Sequence, residues 1–120
     1  MSDFSVVFYE KEDGSLPVKD FLLSLDMKMR AKTVRTIELL QKNGTVLREP
    51  YSKSLGNGIF ELRTKVGNDI SRVLYFFVVG KTIVLTNRFI KKAQKTPVQE
   101  IKKAKLYRRD YLQKLKLKAE

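Results

Sequence analysis

Apolar positions along this chain recur with two different periods, and the changeover divides it into helical and extended parts. Phe4-Ser-Val-Val-Phe-Tyr9 is rich in β-branched and aromatic residues and predicts a first strand. The polar stretch 10–14 breaks that pattern, and Pro17 suits the first turn of a helix starting near Ser15 or Leu16. Val18, Phe21, Leu22 and Leu25 then recur at three- and four-residue spacing and make one apolar face. Asp26 is a candidate N-cap for a second helix with the stripe Val34, Ile37 and Leu40; Gly44, just past Asn43, is its stop. Together these segments predict a helical hairpin whose apolar stripes are core.

Beyond Gly56-Asn57-Gly58, which reads as a turn, the period falls towards two. Ile59-Phe-Glu-Leu-Arg63 alternates, Gly67-Asn-Asp69 turns the chain, and residues 72–79 lead through Gly80-Lys81 into residues 82–86. Three consecutive β-segments predict an antiparallel β-meander. With the N-terminal helical hairpin packed on one face of that sheet, the fold class is α+β. A C-terminal helix is expected from Thr96-Pro-Val-Gln99, with Thr96 as N-cap, Pro97 at N1 and Gln99 completing a capping box. Its stripe is Ile101, Ala104, Tyr107, Tyr111 and Leu115. The length of 120 residues suits a single domain, 1–120, with no repeat or linker.

Composition narrows the chemistry. The chain has no cysteine and no histidine, which removes thiol nucleophiles, thiolate sites and the usual neutral-pH acid/base group. Proton transfer would fall to Lys, Arg, Tyr or a carboxylate. The acids are scattered, without the paired motif of two-metal nucleases, an EF-hand or a P-loop, so neither metal nor cofactor is expected. No apolar run approaches the roughly 18 residues of a membrane span, and residues 73–79 read as a buried strand. The N-terminus carries no basic segment followed by an apolar block, so a cytoplasmic chain is expected.

Charge is the most uneven property. The net +12 divides into 12 basic against 10 acidic residues over 1–80, and 13 against 3 over 81–120. That asymmetry fits a polyanionic partner, with nucleic acid leading, and fits equally a solvated, solubilising C-terminal third. More specific is the spacing of Arg63, Arg72 and Arg88, followed by Lys91, Lys92 and Lys95. In a meander these gather near one end of the sheet, where they would bind phosphate. The alternative is a salt-bridged surface, for which Glu61 and Asp69 are the only nearby acids. Tyr75 and Phe89 are the rings among these cations to consider for stacking on RNA bases, although core packing accounts for either.

The segments Leu55-x-x-Gly58-Ile-Phe-Glu-Leu-Arg63, Arg72-Val-Leu-Tyr75-Phe76 and Arg88-Phe89-x-Lys91-Lys92-x-x-Lys95-Thr96-Pro97 closely resemble the RelE/ParE superfamily. More narrowly they resemble the phage-derived, HigB-like branch of type II toxins, over residues 4 to about 112. The resemblance implies a toxin that binds the ribosomal A site and cuts mRNA there without a metal. It also implies a cognate antitoxin, usually a helix-turn-helix protein, which carries the complex to operator DNA. By position, the resemblance assigns Arg63, Arg72 and Lys91 or Lys92 to catalysis, with Arg88 a reasonable addition; Lys95, Tyr75 and Phe89 complete the expected RNA-binding set.

The chemistry can be written from these residues. Arg63 and Arg72 would hold the phosphate and stabilise its developing charge. An amine at Lys91 or Lys92 would accept the 2′-OH proton if neighbouring cations lower its pKa from about 10.4. Glu61 is a weaker candidate base, or an ion-pair partner of Arg63 on the same sheet face. Some relatives use a histidine that has no counterpart here, which leaves the general acid open. Two other classes remain: a non-catalytic toxin of this fold acting on a protein such as gyrase, and a basic nucleic-acid-binding protein using its last helix.

Overall fold

The extended segments form a five-stranded sheet in the computed structural model, which describes residues 3–90 and 95–119. In chain order the elements are β1 (Ser5–Phe8), α1 (Pro17–Ser24), α2 (Met27–Asn43), a 3-10 turn (Gly44–Val46), β2 (Ser52–Gly56), β3 (Ile59–Val66), β4 (Asp69–Val78), β5 (Thr82–Ile90) and α3 (Val98–Ala119). The sheet order is β1-β5-β4-β3-β2. Strands β2 to β5 form the antiparallel meander, and β1 joins its edge parallel to β5 with Ser5 opposite Thr82. The meander therefore has one strand more than the alternation indicates. Ser-Lys-Ser-Leu-Gly56 of β2 is mostly polar, and with Leu55 as its single core-packing side chain it carries no alternating apolar signature.

Both faces of the sheet are covered. Helices α1 and α2 pack Val18, Phe21, Leu22, Met29, Ile37 and Leu40 against Leu62, Val73, Tyr75, Ile83 and Leu85. On the opposite face, α3 brings Ala104, Tyr107 and Tyr111 against Tyr9, Ile59, Leu74, Phe76 and Val84. Burial on two sides explains why residues 73–77 of β4 are continuously apolar or aromatic instead of alternating.

Local chemistry sets the helix ends. The Asp26 carboxylate accepts the Met29 N–H at 2.8 Å and caps α2 as the sequence indicates. The buried stripe of α2 is rotated from the expected one: Met29, Thr33, Thr36, Ile37 and Leu40 face inward, while Val34 is exposed. Thr36 tolerates burial because its hydroxyl donates to the Lys32 carbonyl at 3.0 Å. At Gly44, φ is +53° and a Cβ would sit 2.1 Å from the Phe4 ring. Only glycine allows α2 to stop against the start of β1.

Helix α3 starts one residue later than its expected cap allows. The Pro97 carbonyl accepts the N–H groups of Glu100 (3.0 Å) and Ile101 (3.3 Å), so the helix begins at Val98. Thr96 lies outside it, and its hydroxyl is spent elsewhere. Further along, the Tyr9 ring stacks on Tyr107 with centroids 4.5 Å apart, and its hydroxyl donates to Asp110 at 2.5 Å. Past Tyr111 the side chains of Leu112, Leu115 and Leu117 are exposed; Leu115, expected in the buried stripe, instead lines an open cleft between the end of α3 and Val7, Phe8 and Tyr9. Among the described residues no helix is long and apolar enough to cross a membrane.

Replacing Gly44 with alanine forces a methyl into the Phe4 ring and is expected to cost about 2 kcal/mol in urea unfolding. The Tyr9–Asp110 contact carries a pH signature. The Asp110 carboxyl is held below its ordinary 3.8, first by the Tyr9 hydroxyl and then by Lys114. A depressed folded-state pKa contributes stability above the unfolded value and loses it as pH falls through the folded one. Tyr9→Phe should therefore melt below the wild type near neutral pH, with the gap in Tm narrowing as pH drops below 3.8.

Candidate functional site

The register of β3 and β4 places Arg63 directly opposite Arg72. Two like charges in that position repel each other, so the pair needs a counter-charge. Glu61 provides it. Two residues before Arg63, it lies on the same sheet face, and its Oε1 accepts Arg63 Nε at 2.7 Å with Arg72 Nη1 3.5 Å away. Its other oxygen, Oε2, accepts the Thr96 hydroxyl. The Glu61 side chain is 0% exposed, Arg72 2% and Arg63 22%. Glu49 stands at the rim, 4.0 Å from Arg63 Nη1.

This arrangement distinguishes the two arginines. Arg72 is sealed between the sheet and its cover, with its guanidinium carbon 5.7 Å from the centroid of the Phe89 ring on β5. Arg63 commits its Nε to Glu61 and keeps a partly exposed guanidinium end whose Nη1 faces the exposed, distant Glu49 carboxylate, so an incoming anion that displaces Glu49 meets Arg63 first. Glu61 has no exposed surface and both oxygens engaged, which keeps it from a ribose hydroxyl and makes it a structural partner of the arginines.

Arg88 sits at the same end of the sheet but on the opposite face. The cause is a β-bulge: Tyr75 pairs with Leu85 and Leu74 with Asn87, so Thr86 and Asn87 together oppose one residue. The bulge is held by polar bonds. The Thr86 hydroxyl reaches the Leu74 carbonyl at 3.2 Å, and Asn87 Nδ2 donates to the Glu100 carbonyl and carboxylate at 3.1 and 3.0 Å. Past this step the face of each side chain is switched. Phe89 turns towards Arg72, and Arg88 turns to the hairpin side, where its guanidinium lies 5.2 Å over the Phe21 ring. There it lines a separate polar cleft with Lys11, Asp20, Asn87 and Lys103. The expected gathering of Arg88 with Arg63 and Arg72 does not occur.

Tyr75 is also apart from the arginines, because three residues along a strand reverse the face. It is buried against Phe60, with ring centroids 5.5 Å apart, and its hydroxyl is bonded to Ser52. Burial pushes that hydroxyl above the ordinary tyrosine range. Tyr75 therefore offers no free face for base stacking, whereas Phe89 is half-buried with Arg72 over its ring. Lys95 is exposed beside Thr96. Lys91 and Lys92 lie outside the described residues. Among the described residues no three potential metal ligands from His, Cys, Asp and Glu converge.

Two contributors are missing from the sequence reading. Thr96 has every property of a helix cap, and nothing nearby in the chain signals its bond to Glu61. Asn87 carries a faint signal, as an amide just past the apolar run of β5.

The profile of the phage-derived, Gp49-like family matches residues 20–109, from α1 through the first half of α3. The chain belongs to the Gp49-like family. Gp49-like proteins are RelE-like and are associated with the toxins of toxin–antitoxin systems, which implies an antitoxin partner. The matched span contains Glu61, Arg63, Arg72 and Thr96, so the arginine pair and its counter-charge are part of the Gp49-like region. No curated protein matches the sequence significantly.

Removing the counter-charge should be costly in this Gp49-like protein. Glu61→Ala leaves Arg72 buried opposite Arg63, and a loss of about 3–5 kcal/mol is expected in urea unfolding. Arg63→Ala, at a half-open position, should cost distinctly less.

Proposed function

We propose that this chain is the toxin of a type II toxin–antitoxin pair of the HigB-like branch. In this reading it is a ribosome-dependent endonuclease that cuts mRNA without a metal. One observation carries the proposal: two arginines paired across β3 and β4, held together by a buried carboxylate, with one of them open to an anion.

The step is a transesterification. The 2′-oxygen attacks the adjacent phosphorus, the bond from phosphorus to the 5′-oxygen breaks, and a 2′,3′-cyclic phosphate and a 5′-hydroxyl end result. Arg63 takes the phosphate through its open guanidinium end, and the sealed Arg72 adds positive potential from beneath. Fixed charges in a water-poor position stabilise the developing oxyanion without reorganising. An amine of Lys91 or Lys92 accepts the 2′-OH proton, and the departing 5′-oxygen takes its proton from water. Lys95 and the exposed lysines of α3 draw the RNA in, and Arg88 offers a phosphate contact on the far side of the same sheet end. The ribosome supplies the substrate geometry. The cellular setting is the cytoplasm, with residues 1–120 acting as one domain. A helix-turn-helix antitoxin neutralises the protein and supplies the contact with operator DNA.

Induction in cells lacking the antitoxin, followed by primer extension, should reveal cuts in translated messages. Arg63→Ala should slow cleavage by about 10²- to 10³-fold, the usual cost of one oxyanion-stabilising donor. Growth arrest with intact mRNA and altered supercoiling would transfer the protein to the class of non-catalytic inhibitors of a protein target.

A further inference from the structure

The division of labour on the Glu61 carboxylate is unusual for an arginine counter-ion. A carboxylate facing a guanidinium normally uses both oxygens in a fork-to-fork pair, the tightest arrangement open to it. Here one oxygen serves both arginines, while the second is occupied by the Thr96 hydroxyl. Thr96 is nearly buried, immediately follows the exposed Lys95, and belongs to neither the sheet nor α3. Its bond is not what holds α3 in place: Asn87 anchors Glu100 of the first turn, and Tyr9 binds Asp110 three turns later.

We infer that Thr96 is a positioning residue for the arginine pair: by occupying Oε2 of Glu61, it restricts that carboxylate to one oxygen for the arginines and keeps the outer end of Arg63 available to phosphate. Without the hydroxyl the carboxylate is released to rotate and grip Arg63 with both oxygens. The guanidinium is then neutralised and withdrawn from the position a phosphate would meet. The same bond ties Thr96, next to the exposed Lys95, to the carboxylate that holds Arg63, so the aim of the arginine depends on one hydroxyl. This inference rests on the nuclease reading for its catalytic consequence and on the hydrogen bonds alone for its structural one.

The full chain with Thr96→Val and Thr96→Ser separates the two. Valine keeps the shape and removes the hydroxyl, whereas serine keeps the hydroxyl. Single-turnover cleavage on programmed ribosomes should fall about 10- to 100-fold in Thr96→Val, as expected for a small misplacement of a catalytic group, and return to within a few-fold of wild type in Thr96→Ser. Affinity for a labelled, uncleavable 2′-O-methyl RNA should change little, because the lysines that dominate binding are untouched. The Nε–Hε resonance of Arg63, followed by NMR in the free protein, should shift in Thr96→Val and return in Thr96→Ser. An unshifted Arg63 resonance, or equal impairment by valine and serine, overturns the inference. If the wild type cleaves nothing while the resonance behaves as expected, the nuclease reading fails and the positioning role stands. If the resonance shifts but cleavage by Thr96→Val equals that of wild type, the catalytic consequence is wrong.

Discussion

A single buried negative charge makes the candidate site possible. Two guanidiniums facing each other across adjacent strands are repulsive, and one of them has lost its water. The Glu61 carboxylate offsets both penalties, and its own desolvation is offset by donors on both oxygens. The surrounding architecture follows from this requirement. A carboxylate at that position must be roofed, which is what α3 and the chain leading into it do, and it must lie on the strand face that carries Arg63. The continuous apolar run in β4 is the matching constraint from the other side, since a strand covered on both faces has no solvent-facing row for polar residues.

Much of the architecture could be read from periodicity because it depends on local chemistry. The N-cap at Asp26, the stop at Gly44, the turn at Gly56-Asn57-Gly58 and the stripe from Ala104 to Tyr111 each involve residues within a turn or two of one another. What escaped was non-local. Strand β2 has one core-packing side chain, Leu55, and shows no apolar pattern. Val34 and Ile37 sit on the same helix, and only the position of the sheet decides which of them is buried. Thr96 satisfies the grammar of a cap but is claimed by a carboxylate 35 positions away. The arginine pair itself was legible, because Arg63 and Arg72 flank one turn and antiparallel pairing brings them together automatically. Which of the two is open was not.

Family membership and geometry answer different questions. The Gp49-like match identifies the kind of system in which this chain operates, and it covers the segment that carries the arginines. The geometry reduces the large positive charge of the C-terminal third to a small working surface. Most of that charge decorates α3, where it shapes the long-range field. In the proposed function the short-range chemistry falls to Arg63, on an element whose own charge is nearly balanced.

The bulge at Thr86 and Asn87 works as a phase selector for the end of the sheet. One additional residue in β5 decides whether an aromatic ring or a third guanidinium is presented to the Arg63–Arg72 pair. Removing it would place three cations over the single Glu61 carboxylate. Strand length in β5 is thereby tied to electrostatics: the count of residues between Gly80 and Phe89 determines the net charge of the neighbouring interior. Insertions and deletions there act as charge mutations, even when they add or remove no charged residue.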